Sequence, residues 1–174
     1  MSLVVIGTDT EVGKTVVSAV VLARYARGRK LAYWKPIATG AEGDTDTELV
    51  RKWVGHRVDI LDEAYLYDPP VSPHLAARLA SRPIDPELVL AQLVEHGLED
   101  PRRNLVVEGV GGLHVPLTTG GYLLSHLLSD MHLPCLLATR SGLGTINHTL
   151  LSLEAIRERK LELAGVVMVG PKDK

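Results

Sequence analysis

The stretch Val4–Val20, VVIGTDTEVGKTVVSAV, decides the fold. A short apolar run ends at Gly7. A Thr-Asp-Thr loop follows, and Gly13-Lys14-Thr15 opens a segment with helical period. Strand, glycine loop, Lys-Thr pair and helix together form the layout of a phosphate-binding loop. In that layout successive backbone N–H groups and the helix N-terminus face the phosphates. Lys14 reaches the outer phosphates, and the Thr15 hydroxyl binds Mg2+. The common form has four residues between its first glycine and Gly-Lys. Here Thr8 to Val12 make five. A Gly-Lys-Thr tripeptide by itself means only a helix start; the preceding strand and both glycines favour the nucleotide reading.

Outward from this loop, apolar runs alternate with helix-length segments. TVVSAVVLARYARG (15–28) reads as a helix stopped by Gly28. KLAYWK (30–35) reads as a strand. DTDTELVRKWVG (44–55) reads as a helix begun by cap-type residues and ended at Gly55. SPHLAARLASR (72–82) and DPELVLAQLVEHG (85–97) are two more helices, the second capped by Asp85 with Pro86 in its first turn. RNLVVEG (103–109), LPCLLAT (133–139) and LAGVVMV (163–169) read as strands. YLLSHLLSDMH (122–132) and INHTLLSLEAIRERK (146–160) read as helices. The alternation implies an α/β, P-loop NTPase-like fold: a mostly parallel sheet with helices on both faces. The 174 residues suit one nucleotide-binding domain over 1–174. Ligands of such sheets bind at the carboxyl ends of the strands. Those ends are expected at Gly7, Lys35, Glu108, Arg140 and Val169.

Composition excludes several classes. A formal net charge of -2 offers no bulk attraction for nucleic acid. No apolar run reaches the length of a membrane span. No basic segment and apolar stretch of a secretion signal opens the chain. The lone cysteine, Cys135, forms no internal disulfide and reads as buried strand, so the cytoplasm is the expected compartment.

Four other loops carry chemistry. Lys35 ends its strand before Pro36; it is either a solvated lysine or a second ammonium facing a transferring phosphoryl group. Thr39 on the same loop is placed to hydrogen-bond a substrate. Asp44 and Asp46 lie at a helix start, where capping is the plain explanation for one of them and a metal-linked carboxylate the sharper one. Glu108 ends an apolar run as an unpaired carboxylate and is followed by three glycines in four residues, which suits the Mg2+ shell of a phosphate site. RSGLGTINH (140–148) has glycines for close backbone approach, and His148 reads as structural. Ser72 and His74, next to prolines, read as a cap and a turn.

Taken together these motifs resemble dethiobiotin synthetase, an enzyme of biotin synthesis. GTDTEVGKT carries that family's lengthened loop, KPIATG its second lysine loop and SPH its middle motif. VEGVGG matches its acidic glycine loop and GLGTINH its late loop. They occur in family order across essentially the whole chain. The resemblance implies conversion of 7,8-diaminopelargonic acid, CO2 and ATP into dethiobiotin, ADP and phosphate. The route runs through a carbamate and a carbamic-phosphoric anhydride. It implies Lys14 and Lys35 as the catalytic cations, and Thr15, Asp46 and Glu108 as the Mg2+ residues. It implies a phosphate wrap by Glu11, Val12, Gly13, Lys14, Thr15 and Val16, and backbone approach at Gly109, Val110 and Gly111. It also implies a homodimer in which GLGTINH reaches the partner's substrate, with Gly142, Thr145 and Asn147 joining Thr39 as substrate contacts.

The chain departs from the family's pattern in two ways. Val169 stands where the family commonly has an adenine-reading Asn, and the chain reads as shortened at its C-terminus. Three alternatives follow. One is a dimeric switch ATPase of the partitioning type, although positions 8 to 12 lack the extra lysine those proteins usually carry. Another is an amidase or ligase of the cobyrinic-acid type, which wants a glutaminase partner. The last is an inactive truncated relative.

Overall fold

The computed structural model describes residues 2–27, 30–98, 100 and 102–171. The first run becomes strand β1 (Leu3–Gly7) and leads through the glycine loop into α1 (Lys14–Tyr25). Next come β2 (Lys30–Trp34), β3 (Ile37–Thr39), α2 (Asp46–Val54), β4 (Asp59–Leu61) and β5 (Tyr65–Tyr67). Helices α3 (Pro73–Leu79) and α4 (Pro86–Glu95) precede β6 (Arg103–Gly112). The chain then forms α5 (Leu124–Met131), β7 (Cys135–Arg140), α6 (Thr145–Glu158) and β8 (Leu163–Val169).

Six strands form one sheet in the order β4-β2-β6-β1-β7-β8, and every neighbouring pair is parallel. Parallel strands need crossovers, and the intervening helices supply them. Alternate residues of β1 feed opposite layers. Leu3 and Val5 pack with Val17 and Leu22 of α1, Val50 of α2 and Tyr33. Val4 and Ile6 pack with Trp34, with Leu93 of α4, Leu127 of α5 and Ile156 of α6. Helices therefore cover both faces, as the alternation implies.

The short parallel pair β3 and β5 is an addition to the expected elements. Three-residue strands are too short to show a period, and β3 follows a proline that reads as a loop. Helix α1 ends at Tyr25, where the N–H of Ala26 closes on the Leu22 carbonyl. The stop expected at Gly28 lies outside the described residues. Among the described residues no helix is long and apolar enough to cross a membrane.

Candidate functional site

Four of the expected strand ends, Gly7, Lys35, Arg140 and Val169, fall at or just past the carboxyl ends of β1, β2, β7 and β8, whereas β6 runs on past Glu108 to Gly112. All five lie toward one edge of the parallel sheet, where β1, β2 and β6 meet. Gly13 adopts φ 93° just before α1, a left-handed conformation that side chains rarely tolerate. A Cβ at Gly13 would also lie 2.7 Å from Val169 Cγ1 at the end of β8. Val169 thus packs on the phosphate loop. Glu11 holds φ 53° although it is not glycine, local strain of the sort that accompanies functional loops. Val12 is buried beneath the loop, and Val16 is exposed in the first turn of α1.

Lys14 is buried, and its Nζ folds back to donate to the Asp9 carbonyl at 2.8 Å. Burial, and then the charge of Lys35, pushes its ammonium down to about 8. Thr15 Oγ1 lies 2.9 Å from Asp46 Oδ1 and 2.9 Å from Glu108 Oε1. Lys35 Nζ bridges the same two carboxylates, touching Asp46 Oδ2 and lying 3.1 Å from Glu108 Oε1. Burial opposes the Lys35 charge, but Glu108 and Asp46 outweigh it and hold the ammonium above its ordinary value. Burial likewise opposes ionisation of Asp46. Lys35, Thr15 and Lys14 prevail and hold its carboxyl below the usual range.

This geometry corrects two readings. Glu108 is not unpaired: Thr15, Lys35, Ser18 and Tyr33 all bond it. Neither Asp44 nor Asp46 caps α2. Thr45 does so, accepting from Glu48 N while Glu48 returns to the Thr45 N–H. That capping box leaves Asp46 free to face Thr15 and Lys35. Asp44 pairs with Lys52 at 2.6 Å.

The glycines after Glu108 have their own structural reason. β6 bulges here: Val5 pairs with Glu108 and Gly7 with Gly112. Gly111 adopts φ 61°, and a Cβ there would meet Val115 Cγ2 at 2.6 Å. Gly109 and Val110 continue the strand through the bulge.

Lys14, Thr15, Lys35, Asp46 and Glu108 are thus brought together. Among the described residues, Thr39, Gly142, Thr145 and Asn147 make no hydrogen bond or ion pair to them. Thr39 ends β3. Thr145 is turned inward, its hydroxyl 2.7 Å from that of Thr139, while Gly142 and Asn147 are exposed. A groove of about 470 Å3 opens beside the loop, lined by Thr8, Asp9, His114, Val115, His148 and Leu151.

Ser18 and Tyr33 escape a sequence reading. Tyr33 sits in an apolar run and Ser18 inside a helix. The available signal is that Ser18 follows Thr15 by three residues, on the same helix face.

Oxygen ligands suit a hard cation, and the cluster has acceptor capacity to spare. Thr15 has one proton for two carboxylates. Among the described residues no three His, Cys, Asp or Glu gather into a cage. Mg2+ typically needs only one or two carboxylates, its other ligands being phosphate and water.

A parallel sheet with a glycine loop entering α1, two buried lysines and two acidic groups defines a P-loop nucleotide-binding fold. Solved structures agree on that architecture. The kinase domain of Escherichia coli tyrosine kinase ETK aligns with TM-score 0.54 at 16% identity, over 97% of this chain and 66% of that chain. A ParA family ATPase from Chlorobium tepidum aligns with TM-score 0.51 at 12% identity, over 97% of this chain and 73% of that one. A family described as an AAA domain matches residues 1–174. The ATP-dependent dethiobiotin synthetase of Agrobacterium fabrum is 42% identical, over 100% of this chain and 77% of its own length. Its counterpart in Brucella ovis is 44% identical, over 97% and 74%. The one in Bradyrhizobium diazoefficiens is 40% identical, over 98% and 76%. The chain belongs to the dethiobiotin synthetases, a family of enzymes.

Proposed function

We propose that the protein makes dethiobiotin from 7,8-diaminopelargonic acid, CO2 and ATP. The observation that carries this reading is the pair of buried ammoniums, Lys14 and Lys35, set around Thr15, Asp46 and Glu108. Two cations in a dry site suit a reaction that gathers several anionic oxygens. Glu11 to Val16 wrap the phosphates, and Gly109 to Gly111 bring backbone close to nucleotide or substrate. Lys14 releases the Asp9 carbonyl and engages the outer phosphates. Lys35 neutralises the carbamate and the transferring phosphoryl group. A carbamate oxygen attacks the γ-phosphorus and ADP leaves. The second amine then closes on the carbamic-phosphoric anhydride, expelling phosphate and forming the cyclic urea. Thr15, Asp46 and Glu108 would hold Mg2+, which supplies charge neutralisation on the phosphates.

The groove beside Thr8 and Asp9 supports the substrate reading. It combines polar groups with Val115 and Leu151, a lining that suits a carbon chain with charged ends. Thr39 lies at the carboxyl end of β3. Gly142, Thr145 and Asn147 are assigned to the substrate of a partner copy. Exposed Leu143, Ile146, Leu150 and Leu151 around the start of α6 support a homodimer covering that face.

The test is phosphate release with Mg·ATP and bicarbonate, with and without the diamine, repeated with CTP and GTP. Diamine-dependent release is expected. Release indifferent to the diamine would replace this reading with a switch-type ATPase, and no release with any nucleotide would indicate an inactive relative. The comparison of nucleotides reports what Val169 does to base selection.

A further inference from the structure

Glu108 is fully buried, and its two oxygens have separate surroundings. Oε1 faces Thr15 and Lys35, at 2.9 and 3.1 Å. Oε2 faces Ser18 Oγ and Tyr33 Oη, each at 2.9 Å. Ser18 has one proton and two acceptors, because the Lys14 carbonyl lies 3.0 Å away. A serine inside a helix often bonds that carbonyl. Tyr33 Oη has no other hydrogen bond among the described residues, so its proton goes to Glu108. The sheet register makes this contact possible. Tyr33 stands opposite Val106, and Glu108 lies two residues on, on the same face of β6.

We propose that Tyr33 is a positioning residue: its hydroxyl pins Oε2 of Glu108 and so keeps Oε1 turned to Thr15 and Lys35, where the cation of the nucleotide complex is held. The proposal rests on the reading that Thr15 and Glu108 hold that cation. A purely packing role would need only the ring, so Tyr33→Phe separates the two.

The readout is Mn2+ affinity at saturating ADP, followed by electron paramagnetic resonance of the free ion, which needs no turnover. Tyr33→Phe should weaken Mn2+ about tenfold, as loss of a group supporting a metal ligand does. Tyr67→Phe deletes another buried tyrosine hydroxyl bond, to the Arg82 carbonyl at 2.7 Å, and should change it less than about twofold. In a Glu108→Gln background Tyr33→Phe should add nothing further. Unchanged Mn2+ affinity in folded Tyr33→Phe overturns the proposal, and so does a loss that adds fully to that of Glu108→Gln. If Tyr33→Phe does not fold, the fluorine resonance of fluorotyrosine-labelled parent decides. The Tyr33 signal should move on Mn2+-free Mg·ADP binding and the Tyr67 signal should not; a Tyr33 signal that stays put overturns the proposal. A parent that fails to bind Mn2+ with ADP overturns the cation site and the Tyr33 role together. Absence of diamine-dependent turnover with Mn2+ binding intact overturns only the proposed reaction.

Discussion

Lys14 and Lys35 carry the same charge a short distance apart, yet the structure gives them opposite energetic signs. Lys35 bridges two carboxylates, whereas Lys14 donates to a neutral carbonyl and has its charge penalised by burial. In nucleotide-free protein Lys35→Ala leaves Glu108 buried without its cation, a loss of about 3 kcal/mol. Lys14→Ala removes an unfavourable buried charge and should leave the urea midpoint equal or raised. Their kinetic effects also differ. Lys14 meets phosphate in both ground and transition states, so its loss weakens ATP binding and turnover together. Lys35→Ala should lower turnover about a hundredfold with a smaller change in ATP affinity. Equal loss of ATP affinity in the two variants would refute this division. Five residues of the cluster were readable from the chain because Lys14 and Thr15 follow Gly13, Lys35 precedes Pro36, Glu108 precedes Gly109 and Asp46 opens a helix. Tyr33 and Ser18 were not, since their surroundings look like core until β2, β6 and α1 are assembled around Glu108.

Helix α2 shows how an element aims a side chain. Thr45 and Glu48 close a capping box, and Asp46 follows as the first helical residue. From the sequence the cap falls to one of the two aspartates that flank Thr45, Asp44 or Asp46. Only the closed box shows that Asp46 is spared for Thr15 and Lys35. Thr45→Ala should therefore cost about 1 kcal/mol of stability. A thermal midpoint lowered by about 2–4 °C is expected for a chain of this size. Turnover should fall as well, because the first turn that carries Asp46 frays. An unchanged midpoint with reduced turnover would mean that Thr45 acts on the site without holding the helix. β3, β4 and β5 were illegible for a different reason: at three residues each, they are fixed by pairing and not by periodicity.

Across the whole molecule, alternation of strands and helices was enough to imply a parallel sheet covered on both sides. The strand order was not legible, because it depends on which crossover packs beside which. In the folded order β6 lies between β1 and β2, which puts Glu108 next to both lysine loops. The contact of Val169 with Gly13 likewise joins the edge strand to the phosphate loop only after folding. The layer beneath β2 predicts how stability responds to acid. His96, at the end of α4, packs edge-on against Trp34 with ring centroids 4.8 Å apart. Its Nε2 is buried without a hydrogen bond among the described residues. Burial, and then Arg103, holds the imidazole below its ordinary value, against the opposing pull of Glu95 and Asp59. The unfolded chain therefore binds a proton at this residue before the folded chain does. Its contribution to stability is present above about pH 6.5 and is lost as pH falls from there through the lower folded value. His96→Phe keeps an aromatic ring against Trp34 and removes the titration. The urea midpoint of the parent should drop more between pH 7.5 and 5.5 than that of His96→Phe. Parallel drops in the two proteins would assign the acid sensitivity to other groups and remove His96 from the account.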